Sequence, residues 1–191
     1  SAGGLVAAQL MRWRPVSWLS LAAGLFWPLL VILVDSVGSL TSVSAYLPLF
    51  VILAAAVVWE SAAEPVDIDR IRKSGLTLSQ IVFGVALAGA LAAAFLLTLS
   101  ENWSATLAAM WAAFALLSLA GARLREGFSL APTFVAVGFA AALAFADAPQ
   151  TFPRVEFAAG VAALFAIGGY VVMRGLKETG PAALASAFGP A

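Results

Sequence analysis

Residues 76–99 read LTLSQIVFGVALAGALAAAFLLTL, an apolar run without a single charged residue. A hydrocarbon core about 30 Å thick needs roughly 20 residues of helix to cross it. The run is long enough, and its Ala and Leu content suits a helix. A lone strand would leave its backbone unpaired in lipid, and the dyad alternation of a barrel strand is absent. Just inside its start, Thr77-Leu78-Ser79-Gln80 has the form of a capping box, in which a hydroxyl and an amide satisfy the first free amides of a helix. The stretch is therefore read as a transmembrane helix.

Outward from it, five more apolar runs bounded by charge or turn residues follow the same pattern. The first covers Val16 to Val34 and stops at Asp35. The second covers about Ala45 to Trp59 and stops at Glu60; it is short unless Leu40 to Ser44 continues it. After the opening stretch come a fourth from Trp103 to Ala122, a fifth from Ser129 to Ala146 and a sixth from about Val155 to Met173. The expected fold class is an all-α integral membrane protein of six transmembrane helices, with a short amphipathic helix ahead of them. Residues 1–15 form the N-terminal interfacial segment, 16–175 the transmembrane domain and 176–191 a cytoplasmic tail.

Composition agrees. The chain has 191 residues, 63% of them hydrophobic and 10% charged, with a mean hydropathy of +1.01. Soluble domains carry roughly 25% charged residues, and a chain this short cannot bury so much apolar surface in a water-facing globule. Net charge is zero, so no nucleic-acid partner is expected. Cys and His are both absent, which excludes disulfides, thiolate nucleophiles, Ser–His catalysis and His-ligated metals. No P-loop and no carboxylate cluster with metal-ligand spacing is present, so no catalytic residue, metal or cofactor is assigned. The first apolar run is span-length, so a cleaved signal peptide is not expected.

Basic residues give the orientation. Arg12 and Arg14, then Arg70, Arg72 and Lys73, then Arg123 and Arg125, then Arg174 and Lys177 all fall on one side of a six-span layout; only Arg154 falls on the other. The positive-inside rule makes the first side, with both termini, cytoplasmic. A bacterial cytoplasmic (inner) membrane is the expected location. Trp13, Trp18, Trp59, Trp103 and Tyr46 lie near span ends, where an aromatic belt is expected.

Leu5, Val6, Leu10 and Trp13 share one helical face beside Arg12 and Arg14, and Pro15 marks a break, so residues 5–14 read as an interfacial helix; the alternative is a plain extension of the first span. Between Glu60 and Ser79 lies the longest cytoplasmic connection. Pro65 suits a first helical turn, with Asp67 and Asp69 near that start and Arg70, Arg72 and Lys73 near the other end, as the helix dipole favours. Gly75 is placed to cap it. This short charged helix is either a well-formed connector or a docking element for a cytoplasmic partner. In the first span, Pro28 follows Trp27 and removes a backbone hydrogen bond; the resulting kink lines a pathway or serves packing. In the third, Ala86, Ala90 and Ala94, with Gly89 and Ala93, permit close helix approach, within the chain or across a dimer. Asp35, Glu60, Glu101 and Asp147 all sit at span ends, so almost no ionisable group stands at mid-bilayer, which argues against a proton carrier, voltage sensor or ion pump.

With this layout the chain resembles the membrane (permease) subunits of type-2 ABC exporters. The likeness is carried by the N-terminal amphipathic stretch, by Trp27-Pro28-Leu29-Leu30-Val31 in the first span, by Glu60 at the end of the second, and by the helix 65–74 leading into Ser74-Gly75-Leu76-Thr77-Leu78-Ser79-Gln80. The chain lacks the family's Arg-Glu pair and the Pro before the third span, and its connection from Asp147 to Arg154 is shorter than the family's re-entrant outer hairpin. The resemblance implies a subunit of an ATP-driven transporter exporting an apolar or amphipathic substrate. ATP would be bound by a separate cytoplasmic ATPase, docked through Glu60, Glu64, Asp67, Asp69, Arg70, Arg72 and Lys73, and a second membrane subunit, identical or not, would complete the pathway in the lipid bilayer. Two alternatives stand beside it. One is the substrate-binding component of an energy-coupling-factor importer, with the Ala-rich third span as docking face and Asp35, Tyr46, Asn102 and Trp103 as polar contacts. The other is a non-transporting scaffold subunit of a membrane complex.

Overall fold

The computed structural model of the protein describes residues 21–28, 30, 40–60, 62 and 77–175, with the side chains of residue 40 and of 172–175 outside that description. All regular structure among the described residues is helical. Residues 21–28 form α1, Leu40–Val57 α2, Leu78–Glu101 α3, Ala105–Leu124 α4, Ala131–Phe145 α5 and Arg154–Gly175 α6, with a short 3-10 turn at Glu126–Phe128. Four stretches are long and apolar enough to cross a membrane: Leu78–Glu101, Ala105–Leu124, Glu126–Phe145 and Arg154–Val171. Helix α2 is shorter at 18 residues, which at 1.5 Å per residue spans about 27 Å. A membrane protein follows from these helices.

Local sequence sets the helix ends. Thr77 Oγ1 accepts the Gln80 amide at 3.4 Å, and the Thr77 amide donates to Gln80 Oε1 at 3.0 Å, so the capping box forms as expected. Ser104 caps α4 by accepting the Leu107 amide at 3.4 Å. Asn102 closes α3 at a φ of 59°, a conformation Asn tolerates better than most residues. The small polar stretch before the second span does continue that helix, because the Ser44 hydroxyl turns inward and donates to the Thr41 carbonyl at 3.0 Å. A hydroxyl so bonded makes little demand on its surroundings. Pro48 lies inside α2 and is buried.

Helices α2, α3, α5 and α4 close a ring in which each packs on the next, while α3 and α4, like α2 and α5, face each other across it. Across that diagonal the indole of Trp111 fills the centre: fully buried, it meets Phe114 and Phe139 and donates from Nε1 to Thr98 Oγ1 at 3.0 Å. Thr98 passes its own proton to the Ala94 carbonyl at 2.7 Å. Both polar groups are thereby satisfied where no water competes. Helix α6 packs outside the ring, chiefly on α4, and Gly168 permits this, since a Cβ there would stand 2.5 Å from the Leu119 side chain. Helix α1 lies against α2 and α3: Tyr46 donates its hydroxyl proton to the Gly24 carbonyl at 3.0 Å, and Gly89 accommodates Leu25. The small residues Ala86, Ala90, Ala93 and Ala94 are all buried within the chain, which answers the choice between internal and intersubunit packing for that stripe.

Candidate functional site

The two ends of the ring differ. At the end holding the 102–104 and 147–153 connections, aromatic rings close the interior. Trp103 stacks on Phe152 at 5.5 Å and meets Phe139 at 6.1 Å and Phe157 at 5.8 Å. Its backbone amide donates to the Asp147 carbonyl at 3.0 Å, tying the two connections together. Trp103 was expected in an interfacial belt; it is instead 2% exposed, because the turn after Asn102 aims it inward between rings that offer it more contact than the interface does. No re-entrant hairpin is found here: residues 147–153 make a tight turn, with the Phe152 amide donating to Pro149 O at 2.9 Å.

At the other end, which carries Arg123 and Arg125, the ring opens into a cavity of about 530 Å³. Val51, Ala55, Trp59 and Glu60 of the second helix and its extension form one wall; Phe114, Leu117, Ser118 and Gly121 of α4 form the other; Phe83, Leu87, Phe128, Ala131 and Val135 close the back. Ile52, Ala56, Trp59, Ala120 and Leu124 are exposed as well as lining, so the cavity opens sideways between α2 and α4. Ser118 contributes little polarity, since its hydroxyl donates to the Ala115 carbonyl at 2.9 Å. Among the described residues Glu60 is the sole charged one that lines the cavity, and it is exposed.

The mouth is braced from two connections at once. Phe128 packs on Phe83 at 4.6 Å and on Trp59 at 6.1 Å, and the Arg125 guanidinium lies over the Trp59 ring at 4.8 Å, a cation–π contact. Beyond Trp59 the Ala62 amide donates back to Val58 O at 2.9 Å. The backbone there runs so close to Gly127 that a Cβ on the glycine would lie 2.7 Å from Ala62 O. Ser129 Oγ and Thr133 Oγ1, just past this turn, are buried without hydrogen-bond partners.

Of the residues singled out in the sequence, Glu60 is brought to the cavity. Trp27 points outward at 61% exposure while Pro28 is buried, so the two do not share a face, and neither lines the cavity. Glu64, Asp67, Asp69, Arg70, Arg72 and Lys73, with the whole 65–74 helix, Asp35, the N-terminal segment 1–15 and the tail 176–191, lie outside the described residues. The polar contacts proposed for an importer are engaged structurally: Tyr46 on Gly24, Asn102 as a cap, and Trp103 in the aromatic closure. Among the described residues no group of three or more Asp, Glu, His or Cys is placed to hold a metal. For Arg125, Gly127 and Phe128 the sequence carries no site signal beyond the run Glu126-Gly127-Phe128 in a short connection. Protein-family models, curated proteins and solved structures contain no match to this chain.

Proposed function

We propose that the protein is the membrane subunit of an ATP-driven transporter that moves an apolar or amphipathic substrate, with a separate cytoplasmic ATPase docked on the 65–74 helix. One observation carries the reading. Ala62, the described residue nearest before the segment that would hold the ATPase, packs against Gly127, and Trp59, Glu60 and Phe128 beside this contact also wall the cavity. A displacement of the 65–74 helix is thus delivered to the end of α2 and to the 126–128 turn, two sides of the same chamber. The arrangement suits alternating access: aromatic closure at one end, a chamber at the other, and a rocking of α2 against α4 between them. Under the positive-inside rule the chamber faces the cytoplasmic leaflet, both termini are cytoplasmic, six helices span, and the membrane is the bacterial inner one. A substrate enters sideways from that leaflet and leaves outward once the closure around Trp103 parts; a second membrane subunit supplies the surface against which the rocking occurs. The chain contributes the pathway, and the ATPase hydrolyses ATP.

The test is co-expression with any ATPase encoded beside it, followed by purification in detergent; the lack of such a gene counts against the reading. Co-elution that disappears when Arg70, Arg72 and Lys73 are reversed to Glu, with the chain still monodisperse, is the expected result. A chain that elutes alone, or co-elution untouched by the reversals, overturns the docking and moves the protein to the scaffold reading.

A further inference from the structure

The lining of the chamber narrows its ligand further. Among the described residues, Glu60 and Ser118 apart, it is built of apolar side chains and Gly121, and the Ser118 hydroxyl donates to its own helix. A volume of about 530 Å³ lies within the roughly 300–1,000 Å³ of sites for drug-sized molecules, and suits one tail better than a two-chain lipid. At the mouth stand a carboxylate, Glu60, and an indole face, Trp59. That indole is engaged by the Arg125 guanidinium at 4.8 Å, so Glu60 is the group at the mouth left to meet a charged head. Neither Arg123 nor Arg125 is among the lining residues.

We infer that the chamber takes a single-chain amphiphile with a cationic head, its tail between α2 and α4 and its head against Glu60. The inference rests on the chamber's being the substrate site proposed above. A tail that passes from lipid into the chamber exchanges one apolar surrounding for another and gains little, because lipid chains are as apolar as Leu. Selection must then lie in the head. An ammonium beside that carboxylate is favoured, whereas a sulfate or phosphate there meets repulsion from Glu60.

The experiment uses the full chain in nanodiscs of zwitterionic lipid and measures retention of radiolabelled dodecyltrimethylammonium. Expected is saturable binding that decyl- and tetradecyltrimethylammonium displace about equally at equal mole fraction in the membrane. Dodecyl sulfate and dodecyl maltoside should compete about fivefold or more weakly. Glu60→Gln should weaken binding about fivefold, the range of one exposed ion pair, and Glu60→Asp should restore most of it. Absence of saturable binding, equal competition by dodecyl sulfate, or an unaffected Glu60→Gln overturns the inference. Failure of ATPase co-elution is a separate result: cation-selective binding that survives it leaves this ligand in place and sinks only the transporter.

Discussion

Gly127 and Ala62 touch through their backbones, so closely that a Cβ on Gly127 would stand 2.9 Å from the Ala62 Cα and 2.7 Å from its carbonyl oxygen. The contact joins the end of the second helix to the connection between α4 and α5, and backbone on both sides leaves nothing flexible to move aside. Gly127→Ala is therefore expected to push the two connections apart and cost about 1–3 kcal/mol, the usual range for overpacking. Gly84→Ala is the control. A Cβ there meets nothing within 4 Å, and Ala is a better helix former than Gly by about 0.5–1 kcal/mol, so that variant should be neutral to slightly stabilised. Thermal unfolding in detergent, followed by size-exclusion peak height, ranks the two; Gly127→Ala as stable as the parent would show that the connections do not bear on each other.

The pair Trp111–Thr98 should behave as a coupled unit. Thr98→Val keeps the shape and removes the acceptor, leaving a buried indole N–H unpaired. Trp111→Phe removes that donor but also opens space at the centre of the ring. Interhelical hydrogen bonds in membranes have measured at about 0.6 kcal/mol on average and at most about 1.7. A double-mutant cycle is expected to give a coupling energy at the upper part of that range, because both groups are fully buried. Additive losses in the cycle would mean that the 3.0 Å bond contributes nothing beyond packing.

Helix existence was legible in the residues; helix neighbours were not. The capping box at Thr77 and Gln80 and the apolar run behind it located α3 to within about two residues at each end, the usual latitude of such boundaries. The extension of α2 to Leu40 depended on an inward turn of the Ser44 hydroxyl, which composition alone does not reveal. The chamber was not legible at all. Val51, Leu87, Phe114 and Val135 come from four different helices, and the ring order that gathers them is a tertiary fact. In water a helix advertises its buried face by an apolar stripe; in lipid it is apolar all round, and that stripe vanishes. The inward turn of Trp103 escaped for the same reason, since an aromatic near a span end fits the belt and the closure equally well.

Narrowing the chamber should block it without unfolding the chain. Ala56 lines the cavity and is exposed at its lateral opening, so Ala56→Phe extends into space already open to lipid and overpacks nothing. Thermal stability should stay within about 0.5 kcal/mol of the parent, as for substitutions away from packed interiors, while ligand retention falls for every head group alike. The contrast with Glu60→Gln, which acts on the head alone, separates blocked entry from lost recognition. An Ala56→Phe chain that retains ligand normally would place the entrance elsewhere than between α2 and α4.

Sidedness can be read directly, because the chain has no cysteine to remove first. Glu126 begins the turn before α5 and Gln150 sits, exposed, in the connection after it, so the two positions flank one apolar stretch, Glu126–Phe145. If that stretch crosses the bilayer, single Glu126→Cys and Gln150→Cys chains must react with a membrane-impermeant maleimide from opposite sides. The basic residues predict which: Arg123 and Arg125 adjoin Glu126, so the cysteine at that position should be protected in intact cells and labelled in inverted vesicles, and the cysteine at 150 the reverse. Labelling of both from one side would mean that α5 turns back within the membrane, and the chamber would then lie against a re-entrant segment. Opposite labelling with the polarity inverted would keep the span but put the chamber, Glu60 and Ala62 on the outer side, where no cytoplasmic ATPase can reach them.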